Sequence, residues 1–466
     1  MNGRHNLVLM TDSYKASHAR LYPPGLTRVF SYLEARGGRY PETLFFGLQA
    51  YLLEYLAGAV LADEHIDEAE AFWTAHFGRP DVFSAASWRL LLERHGGRLP
   101  LRVRAVPEGA SVPVDNVLMT LENTDPAFPW LPGWLETLLL KVWYPATVAT
   151  QSAAIRRDIA AAWAASGEDP AGVGFACHDF GYRGVSSEET AGLGAAAHLL
   201  SFDGTDTVAG IRLLARAYDG GMSGFSIPAT EHSVIVALGR DREEDAYRNV
   251  LETFPDGVVA CVSDSYDIYA AVERLWGGTL REAVLARRGT LVIRPDSGDP
   301  AEVVPRVLDA LWERFGGEVN RAGFRLLDPR VRVIQGDGMG PETIGPLYAI
   351  IMERGFSAAN LTVGSGGALL QKVNRDTCQF ALKASEVEVN GQVYGVAKTP
   401  ATDAAKRSKE GRLKLARTAG GGWETLSSIG RPERFAAAAD ELVTVFEDGE
   451  VVRRWTLAEI RERARA

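Results

Sequence analysis

The second half of the chain alternates two hydrophobic periods. Four short apolar runs rich in β-branched residues end in acid or glycine, and an amphipathic helical pattern follows each. The runs end at Cys261-Val262-Ser263-Asp264, Ile293-Arg294-Pro295-Asp296-Ser297-Gly298, Ile334-Gln335-Gly336-Asp337-Gly338 and Val363-Gly364-Ser365-Gly366-Gly367. Unbroken runs of this length, bounded by turn residues, predict parallel strands buried on both faces. Strand then helix, repeated, predicts an α/β fold with a βα barrel, in which the loops after the strands share one face. Asp264, Asp296, Asp337, Arg294 and the glycines are therefore expected to converge on one pocket. Oxygen donors, a guanidinium and open backbone together suit a phosphorylated sugar and a divalent cation.

The same patterning extends outward. The βα series is expected from about residue 175 to 385. Ser186 and Glu189 are spaced as a capping box for a helix over 191–200. Pro300 and Pro341 stand where first-turn prolines open helices over 301–315 and 342–354. Residues 147–165 are alanine-rich and predict a strong helix. Val103–Pro107 and Val117–Leu121 alternate as half-exposed strands do. After Ser385, Asn390-Gly391 predicts a hairpin turn, and residues 442–465 read as a hairpin and a helix.

Composition narrows the classes. The chain has 466 residues, 46% of them hydrophobic, enough for more than one domain and a large core. Its formal net charge of −10 argues against a general nucleic-acid binder. The three cysteines, Cys177, Cys261 and Cys378, lie far apart, without disulfide or zinc spacing, and suit a reducing compartment. The N-terminus lacks the apolar core of a signal peptide. Glu136 and Lys141 interrupt the apolar stretch 130–143, which reads as a core helix and not a membrane span. The expectation is a cytoplasmic α/β enzyme without a membrane or nucleic-acid partner.

Several segments outside the four strand ends could carry chemistry. In His178-Asp179-Phe180-Gly181-Tyr182-Arg183-Gly184 an aromatic ring stands near an arginine, a pairing that suits a flat ring beside an anion; a structural His-Asp pair is the competing reading. Asp206, in Gly204-Thr205-Asp206-Thr207, is either a helix cap or an acceptor for an amide or ammonium group. As an acceptor it would repel an anionic ring substituent. In Ser226-Ile227-Pro228-Ala229-Thr230-Glu231-His232, Glu231 could fix the tautomer of His232, leaving the other nitrogen as nucleophile or base. No HxH or HxxxH spacing favours a metal there. Arg375, Lys383, Lys398, Lys406, Arg407 and Lys409 are a local basic set in an acidic chain, either a solvated face or an anion site.

These segments also occur in order as family motifs. Thr11-Asp12-Ser13-Tyr14-Lys15, HDFGYRGVSS from His178, GTDT from Gly204, PATEHS from Pro228, VSDSYDIY from Val262, IRPDSG from Ile293, IQGDG from Ile334, GSGG from Gly364 and KRSKEGRL from Lys406 span nearly the whole sequence. The chain thereby resembles the nicotinamide phosphoribosyltransferase family. The resemblance implies an irregular βα barrel of the type II phosphoribosyltransferase kind over 151–389, with an α+β domain over 1–150 completed by 390–466. It implies synthesis of nicotinamide mononucleotide and pyrophosphate from nicotinamide and phosphoribosyl pyrophosphate, in NAD salvage. It also implies Mg²⁺, ATP as a coupled co-substrate, and a homodimer with shared active sites.

Residue by residue, the resemblance implies that Phe180 and the partner's copy of Tyr14 sandwich the pyridine ring. Asp206 receives the carboxamide, with Ser226 nearby. Arg183, His232 and Arg294 bind pyrophosphate; Asp296, Gly336 and Asp337 face the ribose. Gly366, Gly367 and Arg375 hold the 5′-phosphate, and Arg36, Lys383, Lys398 and Lys406 face the polyphosphate. His232 matches the histidine that ATP phosphorylates in this family, and Asp264 and Asp296 are its metal candidates, direct or through water. Between Arg36 and Tyr40 the chain is shorter than vertebrate members. Three other readings compete: nicotinate phosphoribosyltransferase, disfavoured by Asp206; a metal-dependent phosphohydrolase, disfavoured by the missing histidine pairs; and a catalytically dead binding protein, disfavoured by the complete set of polar groups.

Overall fold

A computed structural model describes residues 5–397 and 408–465. The chain divides into two compact units. One comprises 1–150, 216–220 and 374–466; the other comprises 151–215 and 221–373.

The second unit is built on six parallel strands: β1 (Cys177–Asp179), β2 (Gly204–Thr205), β3 (Val259–Val262), β4 (Leu291–Arg294), β5 (Val331–Gln335) and β6 (Leu361–Ser365). Their order is β2-β1-β6-β5-β4-β3. The last four are the four apolar runs of the sequence. The two edges are joined by a segment too irregular to count as a strand. The Thr205 amide donates to the Phe225 carbonyl and the Phe225 amide to Asp203; at the other end the Ala260 amide donates to Pro228 and the Thr230 amide to Ala260. Residues 225–230 thus close the curled sheet into an irregular barrel, and Pro228, which has no N–H, could not have formed a regular ladder there. Ala260, Val292 and Ile334 form a buried apolar cluster, with Ile227 of the closing segment and Phe180 packed on it.

Helices follow the strands as the period change predicts: Glu188–His198, Val208–Tyr218, Pro300–Phe315 and Ile344–Glu353. Two starts differ from expectation, and one helix is short. Ser187, not Ser186, caps Glu188–His198 by accepting from the Thr190 amide. Pro341 lies ahead of a turn, in which the Thr343 hydroxyl accepts from the Gly340 amide, and that helix begins at Ile344. The helix after β6 is a single turn, Gly367–Leu370. Pro300 does open its helix, behind an Asp299 cap. His198 is fully buried, its Nε2 bonded to the Cys177 carbonyl and its Nδ1 to Ser152; burial pushes its pKa down to about 4.

The first unit carries a seven-stranded antiparallel sheet drawn from both chain ends, in the order 392–395, 380–389, 26–35, 116–123, 101–105, 443–447, 450–451. The strand Phe380–Val389 pairs along Leu26–Ala35. The boundary that the resemblance implied after residue 389 therefore falls inside this sheet, and the units part at 373/374. Asn390 and Gly391, both with positive φ, make the expected tight turn. Trp73, Trp88, Trp130 and Trp134 interlock edge to face in the helical layer, where the stretch 130–143 is a core helix. No helix among the described residues is long and apolar enough to cross a membrane. In the same unit Glu108 is wholly buried, accepting from the Gly47 and Gln49 amides; burial pushes its pKa up to about 7.

Candidate active site

The strand ends of the barrel bring together most of the acids and bases singled out in the sequence. Asp179, at the end of β1, is fully buried and structural: it accepts from the Gly181 amide and the Thr205 hydroxyl, tying the loop after β1 to β2. Its neighbour His178 points elsewhere, its Nε2 standing 2.8 Å from Asp206 Oδ1. Ser226, on the closing segment, donates to the same oxygen. Burial raises the pKa of Asp206, but the hydrogen bonds of His178 and Ser226 and the charges of His178 and Arg294 outweigh it, and the carboxyl is held below its ordinary value. The side chain stays 44% exposed, so an ionised oxygen faces the mouth of the barrel.

Phe180 is anchored through its backbone amide to Ser365. Its ring lies across Gly364 and beside His178, with ring centroids 4.7 Å apart. Arg183 is exposed on the turn Tyr182–Gly184, and that turn rests on the Gly366-Gly367 backbone: a Cβ on Gly184 would come within 3.2 Å of Gly367.

Arg294 ends β4. Its side chain is only 15% exposed, its Nε is buried with no hydrogen-bond partner among the described residues, and Asp296 Oδ1 lies 3.8 Å away. A buried guanidinium nitrogen without a partner is costly unless a ligand completes it. Asp337, after β5, is exposed, and Gly336 brings the backbone close to Asp296 and Phe180.

His232 begins a short helix, and its Nε2 is 3.0 Å from Asp264 Oδ1. Its sequence neighbour Glu231 is bound instead by Ser233. The expectation that Glu231 orients His232 is corrected: the helix start turns the two side chains apart, and the orienting acid comes from β3. Asp264 is nearly buried, and its second oxygen accepts from the Asp296 amide and the Ser297 hydroxyl. A carboxylate only accepts, so Nε2 carries a hydrogen, and in the neutral imidazole Nδ1 presents its lone pair. With both oxygens committed, Asp264 holds its neighbours in place, and Asp296 and Asp337 are the freer carboxylates. No group of three or more His, Cys, Asp or Glu among the described residues could hold a metal alone. The donor set instead fits Mg²⁺, which takes one or two carboxylates, with water and substrate phosphate completing its shell.

The other predicted residues belong to the first unit. Tyr14 is 58% exposed. Arg36 pairs with the buried Glu34, which also pairs with Lys409. Lys383 is exposed on its strand, and Arg375 pairs with Asp376. Lys398, Lys406 and Arg407 lie outside the described residues. Two contributors carried no local signal in the sequence: His178 as the partner of Asp206, and Ser297 as a donor to Asp264.

Comparison with known proteins identifies the family. The family model described as "Nicotinate phosphoribosyltransferase (NAPRTase) family" matches residues 175–450, and "Nicotinamide phosphoribosyltransferase, N-terminal domain" matches 6–103. A nicotinamide phosphoribosyltransferase of Xanthomonas campestris is 50% identical over 466 residues, covering 99% of this chain and 98% of the relative. The chain belongs to the nicotinamide phosphoribosyltransferase family. A second member, from Acinetobacter baylyi, is 31% identical over 499 residues, with 99% and 98% covered. The fold of the family is seen in the crystal structure of nicotinate-nucleotide pyrophosphorylase from Pyrococcus furiosus, which matches with a TM-score of 0.60 at 16% identity and covers 100% of this chain and 96% of that one. The fold is thus that of the type II phosphoribosyltransferases, and the chain is an enzyme of the pentosyltransferase class.

Proposed function

We propose that the chain makes nicotinamide mononucleotide and pyrophosphate from nicotinamide and phosphoribosyl pyrophosphate, with ATP consumed through His232. The observation that carries this reading is the presence, at one barrel mouth, of an ionised, half-exposed Asp206 and of an Arg294 Nε that no described residue hydrogen-bonds. The carboxylate suits an uncharged amide N–H₂ donor; the guanidinium suits the leaving pyrophosphate. The reaction is a substitution at the anomeric carbon. The pyridine nitrogen forms the new bond as the carbon–oxygen bond to pyrophosphate breaks, through an oxocarbenium-like ribose. The pyridine nitrogen is already nucleophilic, so the chain's work is positioning and charge stabilisation.

Phe180 and the partner's copy of Tyr14 hold the ring, and Asp206 fixes its rotation through the carboxamide. Arg183 and Arg294 hold the departing pyrophosphate. Asp296, Gly336 and Asp337 face the ribose, while Gly366, Gly367 and Arg375 take the 5′-phosphate. Arg36, Lys383, Lys398 and Lys406 add positive charge for the polyphosphate. Mg²⁺, held by Asp296 and Asp264 directly or through water, would neutralise charge on the pyrophosphate. The Nδ1 lone pair of His232 is set to attack the γ-phosphorus of ATP as the bond to ADP breaks, with Asp264 balancing the imidazolium that forms. The enzyme works as a homodimer in NAD salvage, in the cytoplasm.

The test is mononucleotide formation from nicotinamide or nicotinate with phosphoribosyl pyrophosphate, with and without ATP. Product from nicotinamide, stimulated by ATP, is expected; preference for nicotinate would overturn the reading in favour of the acid-specific enzyme.

A further inference from the structure

We infer that His178 is a specificity-positioning residue, which with Ser226 occupies one oxygen of Asp206 so that the other alone reads the ring substituent. This rests on the proposed role of Asp206. Both contacts fall on Oδ1: His178 Nε2 at 2.8 Å and the Ser226 hydroxyl. A carboxylate accepts at both oxygens; with two donors on Oδ1 and none on Oδ2 among the described residues, Oδ2 is the acceptor left for a ligand. A lone carboxylate on a rotating side chain would present either oxygen, and could swing away from a ligand that repels it. One pinned from β1 and from the closing segment is held from turning away, so an anionic substituent meets the repulsion of the outer oxygen.

The backbone keeps His178 in this pose. A Cβ on Gly204 would lie 2.7 Å from His178 Nδ1, so β2 must carry glycine opposite the imidazole. Gly204 also pairs with His178 across the strands. On its other side the imidazole meets the Phe180 ring, so one residue sets both the platform and the polar reader of the pocket.

The test separates the donor from the packing. His178→Phe retains a ring against Phe180 but removes the donor; His178→Gln retains a donor. Dissociation constants are measured by calorimetry for nicotinamide and for 3-acetylpyridine, which has the same ring and carbonyl but no amide N–H₂. His178→Phe should weaken nicotinamide about tenfold, as loss of a charge-assisted hydrogen bond does, and leave 3-acetylpyridine within about twofold. His178→Gln should restore most of the loss. Gly204→Ala, which displaces the imidazole without altering it, should reproduce the His178→Phe pattern. In an Asp206→Ser background, His178→Phe should add nothing. Equal weakening of both ligands by His178→Phe and Gly204→Ala would make the role one of packing and overturn the inference. Unchanged nicotinamide binding in His178→Phe, with Asp206→Ser still impaired, would overturn it while leaving the reading of Asp206 intact. A wild type that binds nicotinamide no better than 3-acetylpyridine, and is indifferent to Asp206→Ser, would overturn that reading itself.

Discussion

The ring of Phe180 occupies the space that a side chain on Gly364 would need: a Cβ there would lie 2.2 Å from Phe180 Cε2. The ring is therefore held against the end of β6 by the absence of a side chain. Phe180→Ala should raise the KM for nicotinamide by the value of a lost stacking contact, ~1–3 kcal/mol. Gly364→Ala should push the ring outward and raise KM in the same direction, by less. Steady-state kinetics on both variants checks this; two unchanged KM values would remove the ring from the pocket.

Asp206→Ser should invert the choice between amide and acid. In the proposed site the wild-type carboxylate should repel nicotinate by an amount on the order of a few kcal/mol. The measurement is the ratio of kcat/KM for nicotinamide to that for nicotinate. A ratio unmoved by the substitution would assign selectivity to another residue.

Histidine phosphorylation should depend on Asp264 and not on Glu231. With γ-labelled ATP, the wild type and Glu231→Gln should both gain acid-labile, base-stable label. His232→Ala should gain none, and Asp264→Asn should lose most of it, because the amide no longer balances the imidazolium. His232→Ala should retain a low rate of synthesis independent of ATP. Full labelling of Asp264→Asn would return the orienting role to the neighbouring acid.

Tyr14 is expected to act on the partner's site. Tyr14→Ala and Asp296→Ala homodimers should each be nearly inactive, whereas mixed dimers should regain one working site in each heterodimer. An inactive mixture would mean that each pocket is built from a single chain.

Two buried groups should tilt stability with pH in opposite directions. His198 is held neutral, its pKa pushed from 6.5 down to about 4, so its unfolded form binds a proton that the folded form refuses. Stability from this group is full above pH 6.5 and falls as pH drops toward 4, by about 3 kcal/mol over the window. Glu108 is raised from 4.5 to about 7. Its contribution is full below pH 4.5 and is lost as pH rises through 7, by about 3 kcal/mol. Denaturant titrations across pH 4–8 should show the acid-side loss shrink in His198→Gln and the alkaline-side loss shrink in Glu108→Gln.

What could be read from the sequence followed from locality. The four long barrel strands are continuous apolar runs, and Asn390-Gly391 specifies its turn within two residues. The acids at the strand ends follow from the fold once the strands are placed. Barrel closure was not legible, because Phe225–Thr230 bonds to both edges without strand periodicity and contains Pro228. The pairing of His232 with Asp264 was hidden for a related reason: the partners are 32 residues apart, and an acid in the adjacent position offered a nearer and incorrect answer. His178 and Asp206, 28 residues apart, meet only because β1 and β2 are neighbours.

The closing segment also has a dynamic consequence. A barrel sealed along one side by the amides of Thr205, Phe225, Thr230 and Ala260 has a seam that can open while the ladders of β3 to β6 stay intact. Ser226 rides on that seam, so opening it withdraws one of the two donors from Asp206 and loosens the reader of the ring substituent. Hydrogen exchange at these four amides is therefore expected to slow when nicotinamide is bound and to stay fast with a ring that cannot engage Asp206.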